Sequence, residues 1–280
     1  MQLSALAHAT LTRTRWAALF AALGAAVVQT WSSAQAITAG AEDLAPTGSR
    51  RFLAMVHGRY SARCSGVLIR ADLVLTAAHC LTRTDDLRVT LLNRKSRQIT
   101  IAVRGVALHP TFDSSLGPTR QTGTDLALVQ LAKPLGSEFT PVLLGFEPSP
   151  REVVVAGFGV AFEAETTVRL VPRIAVLTRL GHHRTGVDLY ADPHTRAKEG
   201  GSGACRGDSG GPVLSTSATM PPMLVGVVTW SSGPFDVTES GSCGGVTAAT
   251  TVATHKTWIE GASMRFVPGD ARTIGSRAQR

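Results

Sequence analysis

Three short clusters in the 280-residue chain carry side chains that are able to act together in hydrolysis. His79 lies near the end of the apolar run LTAAHC, Asp125 heads the apolar run DLALV, and Ser209 lies inside the glycine-rich run GDSGGP. A serine hydroxyl is a weak nucleophile until a base takes its proton, and histidine is the base whose pKa suits neutral pH. An acid then orients and stabilises the imidazolium. The three clusters therefore predict nucleophilic catalysis.

The glycines around Ser209 support the same chemistry. Gly207, Gly210 and Gly211 allow the backbone to turn tightly and to direct N–H groups at a developing oxyanion. Each cluster alone has an ordinary explanation, since a lone histidine, a strand-initial aspartate and a glycine turn are common structural features. We infer chemistry because the three clusters occur together in one chain with a β-rich pattern.

The hydrophobic pattern around these clusters has the period of two that is typical of β-strands. Short runs rich in Val, Leu and Ile are bounded by Gly, Pro, Asn or Ser, which predicts an all-β barrel or sandwich. Helical periodicity is weak until residues 252–260, and residues 133–150, which contain Pro and Gly, are suited to link two β halves. The predicted strands are residues 51–56, 66–69, 87–92, 99–106, 126–131, 152–156, 174–177 and 224–230.

The composition excludes several classes of protein. Apolar residues make up 44% of the chain, which is enough for a large core and excludes a mainly disordered chain. Outside the N-terminal region no apolar run reaches the roughly 18 residues of a membrane helix, which excludes a multi-span membrane protein. The net charge of +8 comes from scattered residues, and the aromatic residues, 5% of the chain, do not lie among the arginines. We therefore expect no nucleic-acid partner.

The first 36 residues have the pattern of a secretory signal peptide. Two arginines precede an apolar run at residues 16–28, and a small-x-small cleavage site follows at residues 34–36. The alternative is an uncleaved membrane anchor, although 13 apolar residues are short for a span. We predict removal of residues 1–36, secretion to the extracellular space or periplasm, and no stable membrane anchor afterwards. Export would also allow the four cysteines to form two disulfide bonds.

The runs TAAHC, TDLAL and GDSGGP, in the order His, Asp, Ser, resemble the motifs of the trypsin/chymotrypsin-like serine peptidases. The resemblance covers residues 37–261 and implies two packed six-stranded antiparallel β-barrels followed by a C-terminal helix, with the active site between the barrels. It places the first barrel at about residues 37–132, the linker at about 133–150, the second barrel at about 151–250 and the helix at about 251–261. We expect residues 262–280 to form a mobile basic tail.

The resemblance also implies a role for each residue that matches a motif. Ser209 matches the nucleophile, His79 the general base and acid, and Asp125 the buried orienting carboxylate. The backbone N–H groups of Gly207 and Ser209 match the oxyanion hole. Two disulfide bonds are implied as well, Cys64–Cys80 and Cys205–Cys243.

Residues 37–40, Ile-Thr-Ala-Gly, resemble the mature N-terminus of this family, whose ammonium pairs with the acid before the nucleophile. Here that pair would be Ile37 and Asp208. Ile37 directly follows the predicted signal-peptidase site, so we expect export itself to activate the protein without a separate propeptide. An N-terminal extension should then leave a disordered, weakly active loop.

The family pattern assigns Gly203 and Ala204 to the base of the primary specificity pocket, where trypsin-like members have an aspartate. A buried Arg or Lys of a substrate would have no partner there, so we expect non-tryptic specificity for uncharged, small or medium side chains. Residues 229–231 (Thr229, Trp230 and Ser231) match the segment that pairs with substrate backbone.

We expect a secreted serine endopeptidase that acts on proteins or peptides and is open to protein inhibitors. We predict no cofactor and no metal site, because neither the paired His182 and His183 nor His194 has cysteine or acid neighbours at metal-ligand spacing. The alternative is a catalytically inactive binding protein on the same fold. Such a protein usually lacks a triad member or the oxyanion turn, and this sequence keeps them all.

Overall fold

The structure is a computed structural model that describes residues 41–42, 48–59, 63–82, 85–120, 124–194, 201–215, 220–234 and 242–266. The predicted signal peptide, Ile37 and residues 267–280 of the predicted tail lie outside the described residues. The strands are β1 (Ala41–Glu42), β2 (Leu53–His57), β3 (Cys64–Arg70), β4 (Leu73–Thr76), β5 (Arg88–Leu92), β6 (Gln98–Leu108), β7 (Ala127–Leu131), β8 (Leu143–Leu144), β9 (Glu152–Gly157), β10 (Arg173–His182), β11 (Val187–Ala191), β12 (Pro212–Ser215), β13 (Met223–Ser231) and β14 (Thr247–Thr251). The helix α1 is Lys256–Arg265, and short 3₁₀ helices are Ser49–Arg51, Ala78–Leu81, Pro118–Arg120 and Ala253–His255.

The first barrel closes in the order β2-β3-β4-β7-β6-β5. All of its pairings are antiparallel. Side chains such as Val67, Leu75, Leu91 and Leu128 belong to the apolar core around this barrel and are fully buried. Each such aliphatic side chain contributes about 1.5–3 kcal/mol to stability when it leaves water. The apolar runs seen in the sequence therefore supply the core of this barrel, and β4 and β7 are buried on both faces.

The second barrel closes because β9 pairs with both β10 and β12, which completes the ring β9-β10-β11-β14-β13-β12. Two further strands attach outside the ring: β1 pairs with β10, and the short β8 runs parallel to β13. The predicted fold of two packed six-stranded antiparallel barrels with a C-terminal helix is confirmed. Residues 41–42 differ from the expected boundaries, since they pair with the second barrel although they precede the first.

The C-terminal helix begins later and ends later than expected. Thr251 is still paired with Gly226 in the sheet, so its backbone is extended rather than helical. The helix α1 therefore starts only at Lys256. The helix then continues to Arg265, four residues into the segment expected to be a mobile tail. Ile259 and Phe266 are buried in the core of the first barrel. The helix thus follows the second barrel in sequence but packs against the first.

A separate apolar cluster joins the two barrels. Leu53, Met55 and Leu92 of the first barrel pack with Ala156 and Phe158 of the second, and all five are buried. This contact holds the end of β9 beside β2 and β5. It therefore fixes β9 of the second barrel relative to β2 and β5 of the first.

Candidate functional site

His79 and Asp125 lie side by side at the ends of neighbouring strands of the first barrel. His79 follows β4 in a 3₁₀ turn, and Asp125 lies two residues before β7, which pairs with β4. The Asp125 carboxylate accepts hydrogen bonds from the His79 backbone N–H at 2.9 Å and from the ring Nδ1 at 2.6 Å. Asp125 is fully buried, whereas the His79 side chain is 22% exposed. The acid therefore orients an imidazole that is accessible to solvent.

Thr229 of β13 adds a third hydrogen bond to the same carboxylate. Its hydroxyl lies 2.5 Å from Asp125 Oδ2, and it comes from the second barrel. The sequence analysis assigned Thr229 only to substrate backbone. The side-chain role had no local sequence signal, since it depends on how the two barrels pack. Three donors from two segments therefore surround this buried carboxylate.

Ser209 lies in a tight turn that only glycine neighbours allow. Gly207 has φ +95° and Gly210 has φ +82°, in the left-handed region that side chains disfavour. A Cβ at Gly210 would also lie 2.1 Å from Thr76 Oγ1 and 2.3 Å from Ser65 O. Among the described residues, the backbone N–H groups of Gly207 and Ser209 donate to no acceptor. Both N–H groups therefore remain open to a ligand oxygen.

The same turn is held against the strands that lead to His79. Ser65 N donates to Ser209 O at 2.8 Å, and the Ser65 hydroxyl donates to Gly207 O at 2.8 Å. The Cys80 sulfur lies 3.7 Å from His79 Nε2 and 3.8 Å from Ser209 O. His79, Asp125 and the Ser209 turn thus share one edge of the barrel interface. Ser65 is a supporting residue that sequence analysis did not identify.

Asp208, next to Ser209, is fully enclosed by backbone. Its carboxylate accepts hydrogen bonds from Gly159 N at 2.7 Å and from Cys205 N at 2.9 Å. A Cβ at Gly157 would lie 1.9 Å from Asp208 Oδ1, so this position requires glycine. Burial raises the pKa of Asp208 to about 6, and the two N–H donors and the nearby Arg173 oppose this rise only partly. The buried acid would therefore gain from a cationic partner.

Arg173 is a buried cation beside Asp208 that sequence analysis did not identify. It is 6% exposed, and its Nη1 donates to the carbonyl of Gly159, whose N–H in turn binds Asp208. The guanidinium and the carboxylate therefore lie on either side of one glycine. The predicted partner of Asp208, the ammonium of Ile37, lies outside the described residues.

The structure contains both disulfide bonds that the resemblance implied, so the prediction of disulfide bonding is confirmed. Cys64–Cys80 packs behind His79, and Cys205–Cys243 joins the Ser209 turn to the segment before β14. The groups of His, Cys and Glu that approach metal-ligand distance among the described residues each contain both sulfurs of a disulfide. Oxidised sulfurs are not thiolate ligands, so these groups are not metal sites.

The residues expected to form the specificity pocket lie on two facing segments. The Cβ position of Gly203 is 3.4 Å from Gly245 O, and Ala204 N donates to Thr247 Oγ1 at 2.9 Å. On the other side, the Ser231 hydroxyl donates to Ser242 O at 2.6 Å and Trp230 pairs with Ala248. The structure therefore brings Gly203, Ala204 and residues 230–231 to the same β13–β14 region.

The paired histidines have structural partners away from this site. His182 Nδ1 lies 3.0 Å from Asp188 Oδ1, which also accepts from Arg179 at 2.7 Å, and His183 Nδ1 lies 2.8 Å from the Thr185 hydroxyl. Hydrogen bonds to Arg179 and His182 hold the pKa of Asp188 below its usual value, although burial opposes them. Each of the two histidines therefore has a side-chain partner within the same hairpin.

Comparison with known proteins gives a consistent result. The model of the Trypsin family matches residues 41–259. Human "Serine protease 56" is 31% identical over 234 residues, which are 77% of this chain and 37% of that protein. Guinea-pig (Cavia porcellus) "Coagulation factor XII" is 30% identical over 70% of this chain and 36% of that protein. The chain thus spans little more than a third of the length of these two relatives.

Other relatives match over most of their length. The "Trypsin-like protease" of Streptomyces glaucescens is 29% identical over 225 residues, which are 76% of this chain and 80% of that protein. The solved structure of mouse neuropsin, a serine protease expressed in the limbic system, has a TM-score of 0.60 and 21% sequence identity. That match covers 78% of this chain and 97% of the neuropsin chain, and it shows the same fold. Within the described part of this chain, α1 and the other helices are too short or too polar to cross a membrane.

Proposed function

Because the chain belongs to the trypsin family of serine proteases, we propose that it is a secreted serine endopeptidase that cleaves peptide bonds through an acyl-enzyme. The observation that carries the proposal is the fully buried Asp125 carboxylate, which is bonded to His79 Nδ1 at 2.6 Å. In the proposed mechanism Nδ1 donates its hydrogen to Asp125, and Nε2 is the atom that accepts a proton from the nucleophile.

In the first half of the reaction, Ser209 Oγ attacks the substrate carbonyl carbon while its proton passes to His79 Nε2. The carbonyl oxygen becomes an anion and accepts hydrogen bonds from the N–H groups of Gly207 and Ser209. When the tetrahedral intermediate collapses, the C–N bond breaks and the amine leaves with the proton from His79. Asp125 stabilises the imidazolium during both steps.

In the second half, water replaces the released amine. His79 takes a proton from this water, whose oxygen attacks the acyl carbon. The second intermediate collapses with breakage of the ester bond, and Ser209 Oγ recovers its proton from His79. The open Gly207 and Ser209 N–H groups support this assignment, because the tight glycine-containing turn holds them in place before any substrate binds.

We assign the base of the primary pocket to Gly203 and Ala204. The atoms nearest to a Cβ at Gly203 are Gly245 O, Thr247 Oγ1 and Gly244 Cα, and none of these bears a charge. A substrate Arg or Lys would be buried there without an anion, at a large desolvation cost. We therefore propose a preference for uncharged, small or medium residues before the cleaved bond.

We also propose that Ile37 is the mature N-terminus and that its ammonium pairs with Asp208. Support comes from the burial of Asp208 and from its raised pKa of about 6, because such a carboxyl is stabilised as an anion by a cation. Removal of the predicted signal peptide at residues 1–36 would release this ammonium during export.

The test combines covalent labelling with N-terminal sequencing of the exported protein. A fluorophosphonate probe should label the wild type at Ser209 and should not label Ser209→Ala. Absence of labelling in a folded wild type with Ile37 at its N-terminus would identify a catalytically inactive binding protein instead. A mature chain that starts elsewhere would refute activation by export while leaving the peptidase assignment in place.

A further inference from the structure

Two histidines that the proposed chemistry does not use lie together where the C-terminal helix meets the first barrel. His109 directly follows β6, and His255 ends the 3₁₀ turn that precedes α1. Nε2 of His109 lies 3.2 Å from Nδ1 of His255, although 146 residues separate the two in sequence. The sequence analysis predicted no metal site because it considered only His182, His183 and His194. This pair arises from the fold, so it has no local sequence signal.

The backbone holds each of the two histidines in place. His109 N donates to the carbonyl of the buried Leu126 at 2.9 Å, and the His109 carbonyl accepts from Phe112 N at 3.0 Å. On the helix side, His255 N donates to the carbonyl of the buried Val252 at 3.1 Å. Both main-chain positions are therefore fixed by the folded protein before any ligand binds.

The two imidazole rings meet at an angle rather than end to end. Their ring centres are 4.8 Å apart, and the ring planes are nearly perpendicular, at 83°. A straight N–H···N contact of 3.2 Å would place the ring centres farther apart, since each nitrogen lies at the edge of its ring. Two imidazoles on one tetrahedral metal, at about 2.0–2.1 Å each, have their nitrogens about 3.3–3.4 Å apart. The observed separation of the nitrogens is close to that distance.

Neighbouring groups hold the His109 ring in a form that is able to bind a metal. Its Nδ1 lies 3.0 Å from the Thr111 hydroxyl, which can accept the N–H that a metal-bound imidazole carries on its other nitrogen. The ring also packs against Trp258 of α1, with 4.8 Å between the ring centres. Burial, followed by the charge of His255, lowers the pKa of His109 to about 4, so this imidazole is neutral near pH 7. Neutral imidazole is the form that binds metals.

The ligand type indicates which cations fit this pair. Both histidines are half-buried, so water molecules can complete the coordination of a cation that is held by two nitrogens. Imidazole suits Cu²⁺, Ni²⁺ and Zn²⁺, and the affinity of nitrogen sites is generally highest for Cu²⁺. Mg²⁺ and Ca²⁺ take oxygen ligands instead. The pair therefore favours a transition metal.

We propose that His109 and His255 bind a divalent transition metal, Cu²⁺ most tightly, which joins the start of α1 to the first barrel. The proposal does not depend on the peptidase function. Without the metal, Ile259 and Phe266 anchor the helix in the apolar core, and Arg70 donates to the Phe266 carbonyl. The contacts of Arg70 and Phe266 act at the C-terminal end of α1, so the metal adds an attachment at its N-terminal end.

Trp258 provides a direct measurement of binding, because Cu²⁺ quenches the fluorescence of a nearby indole. Removal of residues 1–36 would leave Trp230 and Trp258 as the two tryptophans of the chain. The mature protein, without a histidine tag, is treated with EDTA, dialysed and titrated with Cu²⁺ near pH 7.5. We expect Cu²⁺ to quench the wild-type fluorescence, and we expect most of this quenching to be absent from Trp258→Phe.

Thermal unfolding provides a second measurement. Because the metal binds the folded pair, a Cu²⁺ concentration about a hundred times the dissociation constant should raise Tm by roughly 5–10 °C. Ni²⁺ and Zn²⁺ should raise Tm only at higher concentrations than Cu²⁺, and Mg²⁺ should leave it unchanged.

Variants assign the binding to the two histidines. His109→Gln and His255→Gln should each weaken Cu²⁺ binding by more than about tenfold, since loss of a group that merely supports a metal ligand already costs about 10–100-fold in affinity. The matched control His194→Gln removes an exposed histidine beside Asp192 and should retain the wild-type affinity. If His109→Gln does not fold, His255→Gln decides the test.

Two results would overturn the proposal. A folded wild type whose fluorescence and Tm do not respond to Cu²⁺ would show that the two histidines form only a hydrogen bond. A response that persists at the same Cu²⁺ concentration in His255→Gln would place the metal elsewhere. Neither result concerns the proposed triad, which is tested by the labelling of Ser209.

Discussion

Two fully buried aspartates, Asp125 and Asp208, lie on either side of the candidate active site in different electrostatic surroundings. Asp125 accepts three hydrogen bonds from His79 and Thr229, and one of these donors is a titratable ring that becomes a cation during the proposed reaction. Asp208 accepts two backbone N–H groups and has a raised pKa of about 6. The described residues supply every hydrogen bond that Asp125 accepts. The Asp208 carboxylate would be stabilised further by an additional cation, which we propose is the Ile37 ammonium.

The two acids therefore differ in when their contacts form: those of Asp125 form on folding, whereas those of Asp208 depend on a further event. The Asp125 contacts join β4, β7 and β13, so they form whenever the two barrels form. The Asp208 contacts hold the turn that carries Gly207 and Ser209, and under our proposal they are complete only after Ile37 is released. The predictions below test the two acids separately.

The largest effect is expected for Asp125→Asn. The amide cannot stabilise an imidazolium and favours the wrong tautomer of His79, so kcat should fall by about three to four orders of magnitude, the scale known for such acids in Ser-His-Asp triads. The unfolding transition should change little, because an amide fills the same space. Single-turnover hydrolysis of a peptide provides the measurement. Retention of more than about a tenth of the wild-type kcat would contradict the role of Asp125.

The second effect concerns Asp208 and the N-terminus. A chain that keeps two extra residues before Ile37 has no ammonium at that position, and the oxyanion turn should lose its support. We expect kcat/KM to fall by roughly 10²–10³, the effect of losing an oxyanion donor. Asp208→Asn should lower the rate similarly in the Ile37 form and add little in the extended form. Equal rates for the extended and Ile37 forms would disprove the proposed pair.

Several features of this comparison were predictable from sequence, and others were not. His79, Asp125 and Ser209 lie in short local motifs that indicate their chemical roles. The strands rich in Val, Leu and Ile were predicted near their observed positions. The contact of Thr229 with Asp125 and the position of Arg173 beside Asp208 were not recognised, because each is a single polar residue in an ordinary strand. Their roles arise only where two distant segments meet.

The missed strands have a related cause. β14 reads TAATT and contains no large apolar side chain, although all five of its residues are buried. β11 (VDLYA) has the buried Asp188 as its second residue, so a charged side chain stands where a buried strand would be expected to have an apolar one. In both strands close packing and hydrogen bonding favour small or polar residues. A search for alternating apolar residues therefore does not detect these strands.

The third prediction is a difference in the pH dependence of stability. The folded pKa of Asp208, about 6, is above the ordinary value of 3.8, so between these values the folded state holds a proton that the unfolded state has lost. The free energy of unfolding should therefore decrease as pH rises from about 4 to 6 and level off above, by roughly 3 kcal/mol in total. Urea unfolding of the extended form and of its Asp208→Asn variant, from pH 4 to 7, isolates this contribution.

The Ile37 form supplies the control for that measurement. An ammonium beside the carboxylate lowers the pKa of Asp208 towards or below its ordinary value, so the decrease in stability between pH 4 and 6 should shrink or reverse. The same slope in the extended and Ile37 forms would mean that no new cation reaches Asp208. In that case Arg173 would be the cation that acts on the Asp208 carboxylate in both forms.

The smallest effect is expected at Thr229, where a substitution measures the contribution of a single donor to Asp125. Thr229→Val keeps the shape of the side chain and removes one of three donors, so kcat should fall by about tenfold, the lower end of the roughly 1.5–3 kcal/mol for a hydrogen bond to a charged group, because two donors remain. Thr229→Ser restores the hydroxyl and should recover most of the rate. Recovery of kcat in Thr229→Ser, with no recovery in the isosteric Thr229→Val, distinguishes a role of the hydroxyl in positioning Asp125 from a role in packing. An unchanged kcat in Thr229→Val would show that His79 alone suffices to hold Asp125.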